Sequence, residues 1–167
     1  MAAVRLYVDT NIFIYAFENN DALAKKLLQL ISLNDGRKQL FLATSEIVLA
    51  ELMVDPLMRK NNDRLIELYD NISIGNAFIS IGAITREVLW HAAQLRSEFL
   101  SLRLPDAIHL STAMHFGCTQ FLTADTRLKE TYSIAPNRLV PPQMAAKISI
   151  IRPEISALDR VVAEVEP

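Results

Sequence analysis

The sequence predicts an α/β protein: a three-layer α/β/α sandwich with a central parallel sheet. Strand patterns and helix patterns alternate along the chain, which is typical of parallel strands joined by helices that cover both faces of a sheet. A length of 167 residues suits one domain of ordinary size with a sizeable core. Hydrophobic residues make up 51% and charged residues 22% of the chain, a composition that argues against disorder.

The first half of the chain contains two predicted strands and four predicted helices. They are a strand at 4–8, helices at 11–18 and 21–33, a strand at 39–44, and helices at 45–55 and 62–72. The first strand, "VRLYV", is β-branched and aromatic, so we expect it to be buried and to end at Asp9. Asp21 is the expected cap of the second helix and Gly36 its expected stop. Ser45 is expected to cap the next helix, which Pro56 ends or kinks.

The second half alternates in the same way. Its predicted elements are a strand at 77–82, helices at 85–100 and 105–116, a strand at 119–123, a short strand at 147–151 and a terminal helix at 154–165. Thr85 opens one helix in the manner of a capping box, and Pro105 fits the first turn of the next helix, which Gly117 terminates. Two consecutive prolines then mark the expected boundary between a main domain at 1–142 and a C-terminal extension at 143–167, to which the sequence assigns no role.

An uncharged run separates Asp106 from Asp125 within "LPDAIHLSTAMHFGCTQFLTAD". Its length reaches the lower bound for a transmembrane helix, but its His, Thr, Ser, Gln, Gly and Cys residues make membrane insertion costly. Arg5 and Asp9 interrupt the apolar N-terminal stretch, so no export signal is expected. A single Cys excludes a disulfide framework and suits a reducing compartment. We expect a soluble, cytoplasmic protein with no membrane partner.

Four acidic residues fall on apolar, core-like segments: Asp9, Glu51, Asp106 and Asp125. Asp9 and Asp125 follow the carboxyl ends of two predicted strands, and that edge of a parallel sheet is where ligands bind. Asp106 lies in the first turn of the helix that leads into the Asp125 strand. Each Asp also has an ordinary structural explanation, as a helix cap, a partner of the helix dipole or a turn residue. Glu51 is harder to explain in this way, because a Glu amid apolar helix residues is rarely buried without a partner.

Clustering of these four carboxylates would require cations, because like charges a few ångströms apart repel strongly. A set of oxygen ligands favours Mg²⁺ or Mn²⁺ over Zn²⁺. We therefore expect a divalent-metal site at the carboxyl edge of the sheet. On this view, neutralising any one of the four acids relieves repulsion and leaves the fold intact.

The four acids lie within three segments, "LYVDTNIFIYAF", "ATSEIVLAEL" and "PDAIHLSTAMHFGCTQFLTAD". In order and spacing these segments resemble the PIN domain, the ribonuclease fold of VapC-type toxins, over roughly residues 4 to 141. The resemblance implies that the acids bind Mg²⁺ or Mn²⁺ and activate water to cut RNA; they are Asp9, Glu51, Asp106 and Asp125. It also implies that Asn11, Ser45 and Thr123 support the acidic site.

The function that the resemblance implies is a metal-dependent endoribonuclease, the toxin of a VapBC-type toxin–antitoxin pair. RNA would be its substrate, and an antitoxin protein and a second copy of the chain its partners. One departure from the family is that many members carry a further acid shortly after the last Asp, where this sequence has Thr126 and Arg127.

Three alternatives remain at this point. The first is a PIN-domain RNA-processing nuclease that is not a toxin, and the second is a non-catalytic PIN-like scaffold. The third is a phosphohydrolase of the haloacid dehalogenase type. The phosphohydrolase would carry a second Asp two residues after the first, where this sequence has Asn11, and it gives Glu51 no role.

Other polar residues have structural interpretations. His109 lies three residues after Asp106 on the same helix face, but this position is usually not catalytic in the family. His91, His115 and Cys118 are expected to be surface or packing residues. The net charge is −2 with the four acids included, so the rest of the protein sums to about +2. Candidates for phosphate contacts are Arg37, Lys38, Arg59, Lys60, Arg64, Arg103, Arg127 and Lys129.

Overall fold

The computed structural model of the protein describes residues 4–33, 40–59, 62–73, 79–135 and 140–165. Strands and helices follow one another along the chain. They are β1 (Val4–Val8), α1 (Thr10–Glu18), α2 (Ala22–Ser32), β2 (Leu40–Ser45), α3 (Ile47–Leu52), α4 (Val54–Met58), α5 (Asp63–Ser73), β3 (Ser80–Gly82), α6 (Arg86–Glu98), α7 (Leu104–His115), β4 (Gln120–Leu122), β5 (Thr131–Ser133), β6 (Lys147–Ile151) and α8 (Ile155–Val165).

The strands form one sheet in the order β3-β2-β1-β4-β6-β5. β1 pairs in parallel with β2 on one side and with β4 on the other, so Leu6 lies opposite both Leu42 and Gln120. β2–β3 and β4–β6 are also parallel, whereas β5 runs antiparallel to β6. The chain order reverses between β1 and β4, and such a reversal is where open α/β sheets form a ligand crevice. The predicted α/β fold is confirmed.

Side chains of β1 alternate between two hydrophobic cores, one on each face of the sheet. Leu6 and Val8 belong to the core that includes residues of α1, α2 and α8. Tyr7 belongs to the opposite core, with residues of α6 and α7. Helices therefore cover both faces of the sheet, which gives the three layers that the sequence predicts.

Helix α7 accounts for the long uncharged run in the sequence. Every residue from Ala107 to Met114 is buried, and the helix packs against α6 and against strand β2. Pro105 lies in its first turn, and Gly117 follows its end with a φ of 67°, as the sequence predicts. Among the described residues, no helix has the length and apolarity needed to cross a membrane.

The predicted helix starts have mixed outcomes. The caps at Asp21 and Thr85 are confirmed, since each side chain accepts the backbone N–H of the residue three positions on. The cap at Ser45 is wrong: Ser45 is the last residue of β2, and the residue before α3 makes no capping bond with its side chain. The helix predicted at 45–55 is two short helices that meet at Met53. Pro56 lies inside the second, in the first turn, where its missing N–H costs no hydrogen bond.

Strand β5 has no counterpart among the predicted elements, because three residues are too few to show a strand periodicity. The expected helix stop at Gly36 lies outside the described residues, as do residues 39, 77 and 78 of two predicted strands.

The segment after residue 142 joins the same sheet. Strand β6 lies between β4 and β5 and hydrogen-bonds to both. Helix α8 buries four side chains in the core on one face of the sheet: Leu158, Val161, Val162 and Val165. The division between a domain at 1–142 and an extension at 143–167 stays a prediction.

Candidate active site

An open cleft of about 500 Å³ lies at the carboxyl edge of the sheet. Its lining includes the four acids that the sequence singles out, which are Asp9, Glu51, Asp106 and Asp125. Asp9 directly follows β1, and its backbone N–H donates to the carbonyl of Leu122 at the end of β4, at 3.1 Å. Because β1 pairs with β4, the carboxyl ends of these two strands lie side by side, although they are far apart in the chain.

Asp9 is the most enclosed of the four acids, with 8% of its surface exposed. Its Oδ1 accepts the backbone N–H of Thr10 at 2.8 Å, so the residue also caps α1. Its Oδ2 accepts the side-chain amide of Asn11 and the hydroxyl of Thr123, both at 2.6 Å. These donors hold the carboxylate in one orientation at the edge of the cleft.

Thr123 connects Asp9 to the loop that carries Asp125. While donating to Asp9, its hydroxyl accepts the Asn11 amide and the backbone N–H of Asp125, both at 3.0 Å. The Asn11 side-chain oxygen accepts the backbone N–H of Ala124 at 2.9 Å. Asn11 and Thr123, which the family resemblance marks as supporting residues, thus tie the ends of the two neighbouring strands to each other.

A buried series of hydrogen bonds reaches Glu51 from the sheet. His109 Nε2 lies 2.9 Å from Glu51 Oε2 and 3.8 Å from Asp9 Oδ1. His109 Nδ1 lies 2.6 Å from the Tyr7 hydroxyl. A carboxylate only accepts, so Nε2 carries the proton of the bond to Glu51, and the Tyr7 hydroxyl completes the series at Nδ1. The Thr10 hydroxyl also donates to Glu51.

These contacts favour the ionised form of Glu51. Burial acts to raise the pKa of Glu51, but the hydrogen bond and attraction from His109 and the hydroxyl of Thr10 bring its pKa below the ordinary value. The partner that a Glu on an apolar helix requires is therefore His109.

Asp106, in the first turn of α7, lies close to other negative charges. Burial raises the pKa of Asp106, and the charges of Asp125 and Asp9 raise it further. Arg127 and His109 act in the opposite direction without cancelling the rise. A cation bound in the cleft would relieve this repulsion.

Asp125 forms an ion pair with Arg127. The guanidinium Nε donates to Oδ1 at 2.9 Å and to Oδ2 at 3.1 Å, and Nη2 donates to Oδ2 as well. The backbone N–H of Arg127 also donates to Oδ1, at 2.9 Å. The hydrogen bonds from Arg127 lower the pKa of Asp125 despite its partial burial. Both carboxylate oxygens of Asp125 are thus held by a cation of the same chain.

The donor atoms of the cleft fit a hard divalent cation. Asp9, Glu51 and His109 each present a ligand atom, and these atoms lie within 4.8 Å of one another. Asp106 and Asp125 add further carboxylate oxygens to the same cleft. A divalent cation could be held among these ligand atoms. Because His109 Nε2 donates to Glu51, its ring orients the carboxylate rather than supplying a lone pair.

Sequence reasoning and the structure differ at two positions near the site. Ser45 is 1% exposed, its hydroxyl accepts that of Thr112 at 3.5 Å, and it lines a different pocket from the four acids. His109, for which the sequence predicts a structural role, contacts Glu51 directly. The signal available for His109 was its place one helical turn after Asp106, but its partners lie in segments distant in sequence.

The fold and the cleft define a class: α/β proteins that gather acidic side chains at the carboxyl edge of a parallel sheet. Residues 6–134 match the PIN domain. The chain belongs to the PIN domain family, so the resemblance seen in the sequence is confirmed.

Solved structures with a similar fold include toxin–antitoxin proteins. A DNA-bound VapBC from Salmonella typhimurium aligns with a TM-score of 0.62 at 16% identity, over 90% of this chain and 98% of that one. A toxin–antitoxin complex from Klebsiella pneumoniae has a TM-score of 0.51 at 25% identity, over 73% and 88%. VapC20 from Mycobacterium tuberculosis, described as a toxin that cleaves the sarcin–ricin loop, has a TM-score of 0.53 at 18% identity, over 70% and 86%. A comparison with curated proteins gives no match.

Proposed function

We propose that this protein is a metal-dependent endoribonuclease and the toxin of a VapBC-type toxin–antitoxin pair. The observation that carries the proposal is the convergence of four acids from separate elements on one cleft, in a chain of the PIN domain family. A cap, a dipole partner or a turn explains each Asp alone, but none of these explains why all four acids meet. Membership of the family leaves the phosphohydrolase alternative without support.

Asp9, Asp106 and Asp125 are the proposed ligands of Mg²⁺ or Mn²⁺, and Glu51 completes the cluster directly or through water. When bound, such an ion polarises water and phosphate oxygens for hydrolysis of a phosphodiester bond. The raised pKa of Asp106 supports this assignment, because a neighbouring cation favours the ionised carboxylate.

The protein's own residues hold these carboxylates in place before any ligand arrives. Asn11 and Thr123 fix Asp9 at Oδ2. His109 keeps a proton on Nε2 directed at Glu51, which therefore remains an acceptor at neutral pH. Preorganised ligands lose less side-chain entropy when a cation binds, and they direct their negative charge to where that cation would sit.

The proposed substrate is RNA and the proposed partner is an antitoxin protein. VapC20, which shares this fold, is described as cleaving the sarcin–ricin loop, an RNA element, and the Klebsiella structure is a toxin–antitoxin complex. Apolar side chains of α4 are exposed beside the cleft, at Val54, Leu57 and Met58. Their exposure supports a protein partner that covers them. A homodimer remains part of the proposal.

The nuclease claim is tested by RNA cleavage with Mg²⁺, Mn²⁺ or EDTA, using wild type and Asp9→Asn. We expect EDTA to abolish cleavage and Asp9→Asn to reduce it by about 100-fold or more, the size of effect seen when a charge-stabilising group is lost from an active site. Asp159→Asn is the matched control, since Asp159 is exposed and pairs with Lys26 on the far helices. Cleavage that survives EDTA, or an Asp9→Asn variant as active as wild type, would show that the site is wrong.

The toxin claim needs a separate test in cells. Expression of wild type should arrest growth and Asp9→Asn should not, and if a small antitoxin gene lies beside this gene, co-expression of its product should restore growth. RNA cleavage in vitro without growth arrest would instead support an RNA-processing nuclease.

A further inference from the structure

Arg127 is the more accessible partner of its ion pair with Asp125. The Arg127 side chain is 56% exposed, whereas that of Asp125 is 13% exposed. The guanidinium can therefore move into solvent more readily than the carboxylate can. Any change of partners at this pair takes place by movement of Arg127.

Arg127 also lies at the junction of two pockets. It lines the acidic cleft together with Asp106, and both residues line a smaller neighbouring pocket that includes Arg103. An RNA strand has one negative charge per nucleotide, so a strand whose scissile phosphate lies at the acids would carry its next phosphates along the wall of the cleft. Among the described residues that line the cleft, Arg127 is the one with a cationic side chain.

Two other bases near this loop already have partners. Lys129 Nζ lies over the ring of Phe99, 5.2 Å from its centroid. Arg152 is partly buried and donates to the backbone carbonyls of Asp125 and Leu128. Neither residue is part of the lining of the acidic cleft.

The bonds of Arg127 conflict with the occupation of Asp125 by a divalent cation. Nε and Nη2 together use both oxygens of the carboxylate. A cation on the same oxygens would lie within a few ångströms of the guanidinium, and the two positive charges would repel. Arginine released in this way has the planar donor pair that fits a phosphate through two hydrogen bonds.

We propose that Arg127 exchanges partners: it holds Asp125 while the cleft lacks a divalent cation, and it binds a phosphate of the RNA strand once a cation takes Asp125. This inference rests on the proposed function. It makes Arg127 an internal competitor of the metal and a metal-dependent contact of the substrate. A separate measurement tests each of these two roles.

The competition is measured by calorimetric titration of the metal-free protein with Mn²⁺. We expect Arg127→Gln to bind Mn²⁺ about fivefold or more tightly than wild type, an effect in the usual range for coupled sites. Lys129→Gln, which removes an equal charge two residues away, should stay within about twofold of wild type. Equal Mn²⁺ affinity for the two variants would overturn the inference while leaving the metal site intact. Absence of Mn²⁺ binding by wild type would overturn the metal site and the inference with it.

The exchange is measured by binding of a fluorescein-labelled single-stranded oligoribonucleotide in Ca²⁺, a hard cation used here to limit cleavage, and in EDTA. In Ca²⁺ we expect Arg127→Gln to bind about fivefold more weakly than Lys129→Gln, and its slope of log affinity against log salt to be smaller by about 0.7, the value for one phosphate contact on a single strand. In EDTA the two variants should bind alike, because Arg127 is then held by Asp125. An equal loss under both conditions would overturn the exchange.

Discussion

Four carboxylates that look alike in the sequence have different surroundings in the fold. Asp9 receives three hydrogen bonds, Glu51 is paired with His109, and Asp125 is paired with Arg127. The pKa of Asp106 is instead raised, first by its burial and then by two neighbouring acids, Asp125 and Asp9. The expectation that neutralising any of the four relieves repulsion therefore becomes specific to Asp106. At the other three positions the substitution removes a favourable contact.

Asp106→Asn should make the metal-free protein more stable at neutral pH. The pKa of Asp106 is raised in the folded protein, so its contribution to stability is present below the ordinary carboxyl pKa and is lost as pH rises through the folded value. At pH 7 the ionised group opposes folding, and Asn removes that charge. We expect the melting temperature in EDTA to rise by about 1–4 °C at pH 7 and much less near pH 4.

In saturating Mn²⁺ the wild type should instead melt at a higher temperature than Asp106→Asn. A ligand that binds only the folded state adds more stability the more tightly it binds, and the wild type keeps the proposed ligand that Asp106→Asn has lost. Thermal melts of wild type, Asp106→Asn and Asp125→Asn, with and without Mn²⁺, make the comparison. A metal-free Asp106→Asn protein that melts below wild type at pH 7 would contradict the electrostatic account of this residue.

His109 is expected to position Glu51. His109→Leu removes one donor from Glu51 and leaves only the Thr10 hydroxyl to oppose the effect of burial, so the pKa of Glu51 rises. Cleavage should fall about 10–100-fold, as for the loss of residues that orient metal ligands. The acid limb of the pH–rate profile should move to higher pH. His109→Gln, whose amide can still donate to Glu51, should restore part of the activity. Its acid limb should lie between those of His109→Leu and wild type.

A purely structural role for His109 would lower stability in both variants without moving the acid limb. The pH profile therefore distinguishes positioning from packing. Circular dichroism at each pH serves as the control that both variants remain folded.

Residues that act through partners distant in sequence are the ones that sequence reasoning missed. Asp9 and Asp125 could be predicted because each follows its own strand, and a parallel sheet places strand ends together. His109 could not, since its role depends on Tyr7 and Glu51, which reach it only through the packing of α7 on the sheet. The assignment of Ser45 as a cap failed because β2 extends one residue further than its apolar pattern.

At the scale of elements, the strong patterns were the predictable ones. The strand at Val4–Val8 is rich in β-branched and aromatic residues, the helix at Leu104–His115 has a long uncharged interior, and Asp9 and Gly117 follow their ends. The three residues of β5 offer no pattern, and their pairing with β6 depends on a tertiary contact. Whether β6 belongs to the sheet could likewise not be known from its five residues alone.

Strand β6 is followed directly by Arg152, which supports the loop of the candidate site. Arg152 donates to the carbonyls of Asp125 and Leu128, at 2.7 Å for Leu128. It lies outside the residues that match the PIN domain, 6–134. Arg152→Met keeps the apolar stem and removes these charged hydrogen bonds, which are worth about 1.5–3 kcal/mol each. We expect faster amide hydrogen exchange at residues 123–128 and weaker Mn²⁺ binding.

The control for Arg152→Met is Arg160→Met, on α8, where the guanidinium bonds only to a carbonyl of its own helix among its described contacts. Equal exchange at residues 123–128 in the two variants would show that Arg152 does not hold the loop.

At the scale of the whole molecule, one sheet separates two cores, and the C-terminal segment contributes side chains to both of them. Helix α8 packs on α2 and on β1, the central strand that ends at Asp9. β6 gives β4 its outer neighbour, so the strand that leads to Asp125 is paired on both sides. Both halves of the candidate site thus depend on residues beyond 142. If the chain divides into a domain at 1–142 and an extension, residues 1–142 should fold alone. The packing of α8 and β6 predicts instead that they do not.

Truncation after residue 142 should therefore leave a protein that does not fold cooperatively. It removes four buried side chains of α8, namely Leu158, Val161, Val162 and Val165. Burial of one such side chain stabilises a protein by about 1.5–3 kcal/mol, so the loss of about 6–12 kcal/mol is comparable to the whole stability of a typical domain, about 5–15 kcal/mol. It also leaves β4 as an unpaired edge, which favours aggregation. Removal of residues 166–167 alone is the control and should leave melting unchanged. A fragment 1–142 with a sharp thermal transition and Mn²⁺ binding would establish that the extension is dispensable.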